Sequence, residues 1–165
     1  MTVDTEGRTG VVIRTFEARD IDDVWALHRE GLQQTTPQYP EAVAHYESDL
    51  HDLETHYLSA GSRFWVAEAD GALVGMTAIE RVDAETGRLR RMRVTTDRRR
   101  TGIAQALLET AERFCREQGY RRLVLDTTEQ QTAAHRLYEK NGFVRTGERD
   151  LGPFRVFDYA KELRG

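Results

Sequence analysis

Cysteine is nearly absent from this sequence, since Cys115 is the single one among 165 residues. One thiol cannot form an internal disulfide, and no group of cysteines has the spacing of a zinc site. We therefore expect neither a disulfide framework nor a bound metal. Cys115 falls on the apolar side of a predicted helix, which indicates a buried, unreactive thiol rather than a nucleophile.

Long hydrophobic runs are also missing. No apolar segment approaches the roughly 18 residues that a membrane-spanning helix requires, so we expect no membrane association. Residues 1–10 are polar and lack the basic and then apolar layout of a secretory signal. We expect a cytoplasmic protein with a flexible tail at residues 1–10 and one domain at residues 11–165.

Neither sign of charge dominates, because 24 Lys and Arg residues stand against 28 Asp and Glu residues, for a net charge of -4. This balance argues against nucleic acid as a partner. The arginines are nevertheless unevenly distributed, and one short stretch contains Arg88, Arg90, Arg91, Arg93, Arg98, Arg99 and Arg100. Such a local cluster predicts a focused anion site rather than a basic surface.

The spacing of apolar residues predicts a mixed α/β fold. Seven strands are predicted, at residues 11–16, 64–69, 73–79, 87–96, 123–126, 143–149 and 154–160. Four helices are predicted, at residues 21–32 with Asp20 as a cap, at 43–57, at 103–118, and from a capping box at Thr128 and Gln131 through Tyr138. Asp70-Gly71 suits a two-residue hairpin turn. The strand, helix, strand unit at 87–126 predicts two parallel neighbouring strands in a sheet flanked by helices.

An anion-binding loop is predicted between the fourth strand and the third helix, at Arg99-Arg100-Thr101-Gly102-Ile103-Ala104. The first amides of a helix have no intrahelical acceptor and carry the positive end of the helix dipole. Gly102 allows a close approach to the backbone, and the small Ala104 leaves the first turn open. The sequence contains no nucleotide-binding Gly-x-x-x-x-Gly-Lys-Ser/Thr loop and no Gly-x-Gly-x-x-Gly after a strand.

This loop resembles the Arg/Gln-x-x-Gly-x-Gly/Ala signature of the GNAT superfamily of acyl-CoA-dependent N-acetyltransferases, through Arg99, Gly102 and Ala104. The resemblance continues at residues 89–94 and 133–143, and the order of elements agrees across most of the chain. It implies a GNAT-like fold of about seven strands and four helices, in which the fourth and fifth strands splay apart.

The resemblance implies acetyl-CoA as the cofactor and coenzyme A as a product. The pantetheine arm would pair with the strand at Met92 and Val94. The diphosphate would lie on the amides of the loop, at Arg99, Arg100, Thr101, Gly102, Ile103 and Ala104. The alternative for the arginine run is a solvated loop with surface ion pairs. Gln131 stands where the family often has Asn. It would either contact the cofactor or form the capping box with Thr128.

The resemblance also implies the catalytic groups. Tyr138 matches the tyrosine that faces the coenzyme A sulfur as a general acid, and the alternative is a role in core packing. The Val94 amide would bind the oxyanion of a tetrahedral intermediate. Glu80 is the candidate general base, and its alternative is an ion pair with Arg91 or Arg93. Other candidate bases are Asp126, Glu129, His45 and His56.

Residues 89–94 with 125–128 and Gln131 resemble the branch of the family that acetylates aspartate or cysteine S-conjugates. This implies a small, amino-acid-like amine as the substrate, whose carboxylate Arg91 would bind unless Arg91 pairs with Glu80. Trp25 begins the segment 25–46, which with 150–154 would select the substrate. Two alternatives are a protein or peptide amine acetyltransferase and a non-catalytic module that binds acyl-CoA or RNA. Family members also imply a possible homodimer.

Overall fold

The structure is a computed structural model that describes residues 3–4, 10–35 and 47–163. The strands are β1 (Val3–Asp4), β2 (Val11–Thr15), β3 (Arg63–Ala69), β4 (Ala72–Arg81), β5 (Thr86–Val94), β6 (Arg122–Thr128), β7 (Val144–Leu151) and β8 (Phe154–Glu162). The helices are α1 (Ile21–Thr35), α2 (Ser48–His51), α3 (Leu53–Tyr57), α4 (Ile103–Glu117) and α5 (Thr132–Lys140). The strands form one mixed sheet in the order β1-β2-β3-β4-β5-β6-β8-β7.

The sheet confirms the predicted strands to within a few residues at their ends. Asp70 and Gly71 have φ angles of 53° and 79° and connect β3 to β4 in the two-residue turn that the sequence predicted. β5 and β6 are parallel neighbours, as the strand, helix, strand unit required. Val3 and Asp4, which lie within the predicted tail, pair with β2 as an additional edge strand that the sequence did not predict.

α1 and α4 begin at Ile21 and Ile103 as predicted, whereas the other two predicted helices differ from the structure. A 3-10 turn at Ala18–Asp20 precedes α1, and the buried Asp20 carboxylate bonds to the Arg14 guanidinium at 2.8 and 2.9 Å instead of capping α1. The second predicted helix is divided into α2 and α3, because Asp52 has non-helical angles of φ -142° and ψ 58°. Residues 43–46 of that prediction lie outside the described residues.

The predicted capping box at Thr128 and Gln131 forms only in part, because α5 begins at Thr132 and the buried Thr128 hydroxyl oxygen has no hydrogen-bond partner. The Gln131 amide oxygen accepts hydrogen bonds from the Thr127 hydroxyl at 2.6 Å and the Thr128 N–H at 3.3 Å. These bonds close the turn between β6 and α5. At the other end, Asn141 and Gly142 terminate α5 as predicted.

Two apolar layers cover the sheet. On one face, α4 and α5 bury residues such as Ile103, Leu107 and Phe114, and this layer includes Cys115. Burial raises the pKa of the Cys115 thiol to about 12, which confirms that it is buried and unreactive. On the other face, α1 to α3 cover a second cluster that includes Val24 and Tyr57. No described helix is long and apolar enough to span a membrane.

The sheet opens between its two central parallel strands. β5 and β6 pair only at three positions, Thr86 with Arg122, Gly87 with Leu123, and Arg88 with Val124. Beyond Arg88 and Val124 the described strands have no further pairing with each other, although β6 stays paired with β8 as far as Thr128. The backbone of β5 is therefore exposed along one edge in the middle of the sheet.

Candidate active site

A cleft of about 260 Å³ lies where β5 and β6 separate. β5 supplies residues 88–93, β6 supplies 126–128, α5 supplies Ala134 and Tyr138 with Gln131 just before it, the β7–β8 hairpin supplies Leu151, Phe154 and Val156, and α1 supplies His28 and Leu32. Most of the predicted site residues of the central strand and of α5 therefore meet at one place.

A β-bulge in β5 determines which side chains face which layer. Thr77 of β4 stands opposite two residues of β5, and the first of them, Arg91, has a left-handed φ of 60°. Without the extra residue, Arg91 and Arg93 would face the α4 layer together with Leu89. The bulge reverses the alternation, so that Met92 and Val94 contact the α4 layer. Arg91 and Arg93 consequently face α1 and α2.

Asp49 neutralises two of these arginines. Its carboxylate accepts two hydrogen bonds from Arg91, one of them from Nε at 2.9 Å, and lies 3.5 Å from Arg90. The Tyr57 hydroxyl donates to the same carboxylate at 2.5 Å. Burial alone would raise the pKa of Asp49, but the Arg91 hydrogen bond and charge outweigh it and lower the pKa to about 2. The predicted alternative, an ion pair between Arg91 and Glu80, is therefore wrong.

Arg93 has a different environment from its neighbours. No Asp or Glu of the described residues pairs with it, and its buried Nε has no hydrogen-bond partner. Removal from water and then the charge of Arg91 lower the pKa of Arg93 to about 10, so that it is still a cation at neutral pH. The sequence placed Arg93 in the arginine cluster without assigning it a site role, because the bulge that turns it into the cleft has no glycine to mark it.

His28 is a second cleft residue, and it lies in the segment 25–46 that was predicted to select the substrate, although no individual role was predicted for it. Its Nε2 donates to Glu47 at 2.5 Å, and its buried Nδ1 has no partner. Burial and then the charge of Arg91 lower the pKa of His28 to about 4, against the Glu47 bond, so the ring is neutral at physiological pH. The predicted substrate residue Trp25 does not line the cleft, and its ring instead packs against His28 and His51.

Tyr138 lines the cleft and also belongs to the core. Its ring packs against Phe143 and Tyr159, with centroid distances of 5.6 and 6.2 Å. Burial raises the pKa of the Tyr138 hydroxyl, and the charge of Arg93 offsets only part of that shift. The phenol is therefore protonated at neutral pH, as a proton donor must be.

Glu80 does not reach the cleft lining. Its carboxylate bonds to His56, lies 3.1 Å from Arg90 and 3.5 Å from Arg88. Burial alone would raise the pKa of Glu80, but the His56 bond and the Arg90 charge lower it below its usual value. Of the other candidate bases, Asp126 lines the cleft and pairs with Arg149 at 2.8 Å, and His45 lies outside the described residues.

The predicted anion-binding loop leads from the end of β5 into α4. Gly102 is the N-cap of α4 with a φ of 88°, and Arg100 has a φ of 64°. In the part of the chain that the structure describes, no side chain caps the first amides of α4. Glu30 of α1 holds the start of the loop by accepting bonds from the Thr96 N–H at 3.0 Å and hydroxyl at 2.8 Å.

The Val94 amide points toward the open edge of β5. The next amide, that of Thr95, donates to the Val74 carbonyl of β4 at 2.9 Å. Successive amides of a strand point to opposite edges, so the Val94 N–H is directed away from β4 and toward the side where β6 has separated. The same alternation directs the Met92 N–H to that side. Both amides therefore face the gap between β5 and β6.

Comparison with known proteins supports one family. The model of the Acetyltransferase (GNAT) family matches residues 23–143. The human N-acetyltransferase 8 is 42% identical over 107 residues, which are 61% of this chain and 47% of that protein. The N-acetylaspartate synthetase of Danio rerio is 43% identical, with 87% of this chain and 70% of that protein covered. The chain thus spans about half the length of the N-acetyltransferase 8 relatives.

Solved structures show the same fold. An acetyltransferase from Streptococcus agalactiae superposes with a TM-score of 0.82 at 24% identity, over 94% of this chain and 99% of that one. The PaiA N-acetyltransferase from Thermoplasma acidophilum, solved in complex with coenzyme A, has a TM-score of 0.76 at 21% identity, over 93% and 99% of the two chains. The predicted mixed sheet with separated central strands is confirmed.

Proposed function

Because the chain belongs to the GNAT acetyltransferase family, we propose that it transfers an acetyl group from acetyl-CoA to the primary amine of a small, amino-acid-like molecule. The separation of β5 from β6 beside the Gly102 loop is the observation on which this proposal rests. The relative named N-acetylaspartate synthetase, which matches 87% of this chain, supports an amino acid as the acceptor.

The residues around the cleft fit coenzyme A. The diphosphate would be held by the loop amides from Arg99 to Ala104, where the left-handed Gly102 leaves the helix start uncapped. The pantetheine arm would pair with the open edge of β5 at Met92 and Val94, in the place that a neighbouring strand would take. Gln131 lines the same cleft, with its amide oxygen already bound to Thr127 and Thr128.

Acetyl-CoA would supply an activated acetyl group as a thioester. The Val94 N–H would donate to the oxyanion that forms when the amine attacks, and a preorganised donor of this kind contributes roughly 3 kcal/mol. The protonated Tyr138 would donate to the departing thiolate. Tyr138 lines the cleft, and the Val94 N–H is directed toward the same gap between β5 and β6 from the end of β5 that adjoins the lining, so the two groups would act on one bound thioester.

The sequence suggested Glu80 as the base that deprotonates the amine, and we propose a different role for this residue. Glu80 lies outside the cleft lining with three cationic or donor partners and a lowered pKa, which suits a structural role better than that of a base. We therefore propose that Glu80 fixes Arg88, Arg90 and His56. His28 can accept a hydrogen bond from the amine through Nδ1, but its low pKa makes it a weak base.

A panel of amines incubated with acetyl-CoA tests this function through the release of free thiol. We expect turnover with small amines that resemble amino acids. Turnover confined to peptide N-termini or polyamines would replace the proposed acceptor class. Binding of acyl-CoA without turnover of any amine would indicate a binding module, and RNA affinity that falls steeply with salt would favour the RNA alternative.

A further inference from the structure

Arg93 differs from the other arginines of β5 in having no acidic partner among the described residues. Arg88 pairs with Glu80, Arg90 pairs with Glu80 and Asp49, and Arg91 pairs with Asp49. The electrostatic neighbours that affect Arg93 are two further cations, Arg91 and Arg99, and the Tyr138 hydroxyl. The α1-facing side of the cleft therefore has an excess of positive charge at Arg93.

Burying an unpaired cation such as Arg93 in the cleft wall destabilises the fold. Removing a charged group from water is unfavourable unless a counter-charge or hydrogen bonds compensate. The Nε of Arg93 is buried without any partner, so neither compensation is present at that atom. Other arginines of the strand avoid this cost with a nearby carboxylate. Arg93 consequently has the properties of a group whose counter-ion arrives with a ligand.

α1 is shaped to hold Arg93 in the cleft. A Cβ at Gly31 would lie 2.6 Å from the Arg93 Nε and 2.7 Å from its Cδ. Any other residue at position 31 would therefore displace the stem of Arg93. The bulge at Arg91 turns Arg93 toward α1, and Gly31 leaves room for it there. Two separate backbone features thus place one cation in the cleft wall.

We propose that Arg93 binds the carboxylate of the acceptor, so that the substrates are amines that carry a carboxylate group. This inference rests on the proposed N-acetyltransferase function and assigns the carboxylate to a residue other than Arg91. The Nε and one terminal nitrogen of Arg91 are already bonded to Asp49, whereas no described carboxylate competes for Arg93. A guanidinium can hold a carboxylate through two parallel hydrogen bonds.

The position of Arg93 also suits the reaction. Arg93 and Tyr138 line the same cleft and interact electrostatically. An acceptor anchored at Arg93 would bring its amine close to the group that is proposed to protonate the departing thiolate. The neighbouring His28 is neutral, so it neither competes for Arg93 nor repels a carboxylate.

The direct test compares matched acceptors on the unmodified protein. Each amino acid is assayed beside its carboxamide, which keeps the side chain and lacks the negative charge, and kcat/KM is expressed per free amine because the two ammonium groups have different pKa values. A charge-assisted hydrogen bond contributes about 1.5 to 3 kcal/mol, which corresponds to a preference of roughly 10- to 150-fold in kcat/KM for the carboxylate. This comparison needs no variant and so does not depend on the folding of one.

Variants then assign the preference to Arg93. Arg93→Met should lower kcat/KM for the carboxylate acceptors by roughly 10- to 150-fold and change the carboxamides by less than about threefold. Gly31→Ala should lower the ratio of kcat/KM for the carboxylate acceptors to kcat/KM for the carboxamides, because its Cβ displaces the Arg93 stem without removing the charge. Arg122→Met is the matched control, since Arg122 pairs with Glu162 on the surface and lies outside the cleft lining.

An equilibrium measurement gives a second readout. Calorimetry of the protein saturated with coenzyme A should detect binding of an N-acetylated amino acid, and Arg93→Met should weaken that binding by a similar factor. Equal use of carboxylates and carboxamides, or an equal loss of both in Arg93→Met, would overturn the inference and leave the acetyltransferase function intact. If no amine reacts although coenzyme A binds, the proposed function fails and the inference fails with it.

Discussion

At the scale of single residues, the site is an arrangement of charges around one strand. Asp49 neutralises Arg90 and Arg91, Glu80 is held by Arg88 and Arg90, and Arg93 is left without a described acidic partner. The sequence predicted the cluster of arginines but not this division, because the partner Asp49 lies more than 40 positions away on a short helix. Ion pairs between distant segments have no local sequence signal.

The hydroxyl of Tyr138 is expected to act in turnover and not in folding. No described residue hydrogen-bonds to it, so Tyr138→Phe should preserve the fold and lower kcat by about one to two orders of magnitude. Tyr120→Phe is the control, because that hydroxyl donates to the Gly61 carbonyl and lies outside the cleft lining. It should reduce stability by about 1 kcal/mol and leave kcat unchanged. Unchanged kcat in Tyr138→Phe would remove the tyrosine from the mechanism.

Asp49 should make the stability of the fold depend on pH in the acidic range. Its folded pKa of about 2 lies below the unfolded value of about 3.9, so the unfolded state takes up the proton first as the pH falls. The stabilisation is fully present above about pH 4 and is lost as the pH falls toward about 2.

Urea unfolding of the protein and of Asp49→Asn at several pH values measures this effect. The difference in unfolding free energy between the two proteins should be larger at about pH 6 than at about pH 2 by roughly 2 kcal/mol. A difference that stays constant with pH would mean that Asp49 is not the titrating group.

The rate should follow the ionisation of the acceptor itself. Of the described candidates, His28 has a low pKa, Asp126 lines the cleft but is paired with Arg149, and Glu80 does not line the cleft, so we expect no strong base beside the amine. We expect kcat/KM to rise with pH up to the ammonium pKa of each acceptor. Two acceptors with different ammonium pKa values should show different breaks. A common break near pH 6 to 7 that disappears in Glu80→Gln would restore Glu80 as the base.

At the scale of elements, the loop before α4 is the part that was most accessible to prediction. A glycine that follows a strand and begins an amphipathic helix predicted free helix amides at this position, and Gly102 is the N-cap of α4 without a side-chain cap. The Asp70-Gly71 hairpin was equally accessible, because turn chemistry is local. The β5 bulge was not, because Arg91 adopts its φ of 60° without being a glycine and Thr77 of β4 faces it across the sheet.

The conformation of Gly102 yields a prediction with a matched control. Gly102→Ala forces a side chain into a φ of 88°, which costs about 1 kcal/mol and should tilt the loop amides, so coenzyme A affinity should fall about tenfold. Gly119→Ala places the same strain at a φ of 81° after the end of α4, where a Cβ meets nothing within 4 Å. The Gly119→Ala variant should lose a similar amount of stability and keep its affinity for coenzyme A. Equal affinities in both variants would argue against the loop as the diphosphate site.

At the scale of the whole molecule, the order of elements was predictable and the extent of the sheet was not. The seven predicted strands are present, but the polar segment before residue 11 gave no signal for the pairing of Val3 and Asp4 with β2. The split between α2 and α3 at Asp52 was hidden by apolar spacing that continues through both helices. The divergence of β5 and β6 followed from the family resemblance, since the residues at 88 and 124 carry no breaking signal of their own.

The central claim is that the gap between β5 and β6, together with the amides before α4, holds coenzyme A. Calorimetric titration of the folded protein with coenzyme A tests this without requiring any knowledge of the acceptor. We predict one site per chain with a dissociation constant in the micromolar range. Coenzyme A at a hundredfold excess over that constant should stabilise the fold by about 2.7 kcal/mol and raise its Tm accordingly. Absence of binding at about 1 mM coenzyme A by protein that melts cooperatively would contradict it.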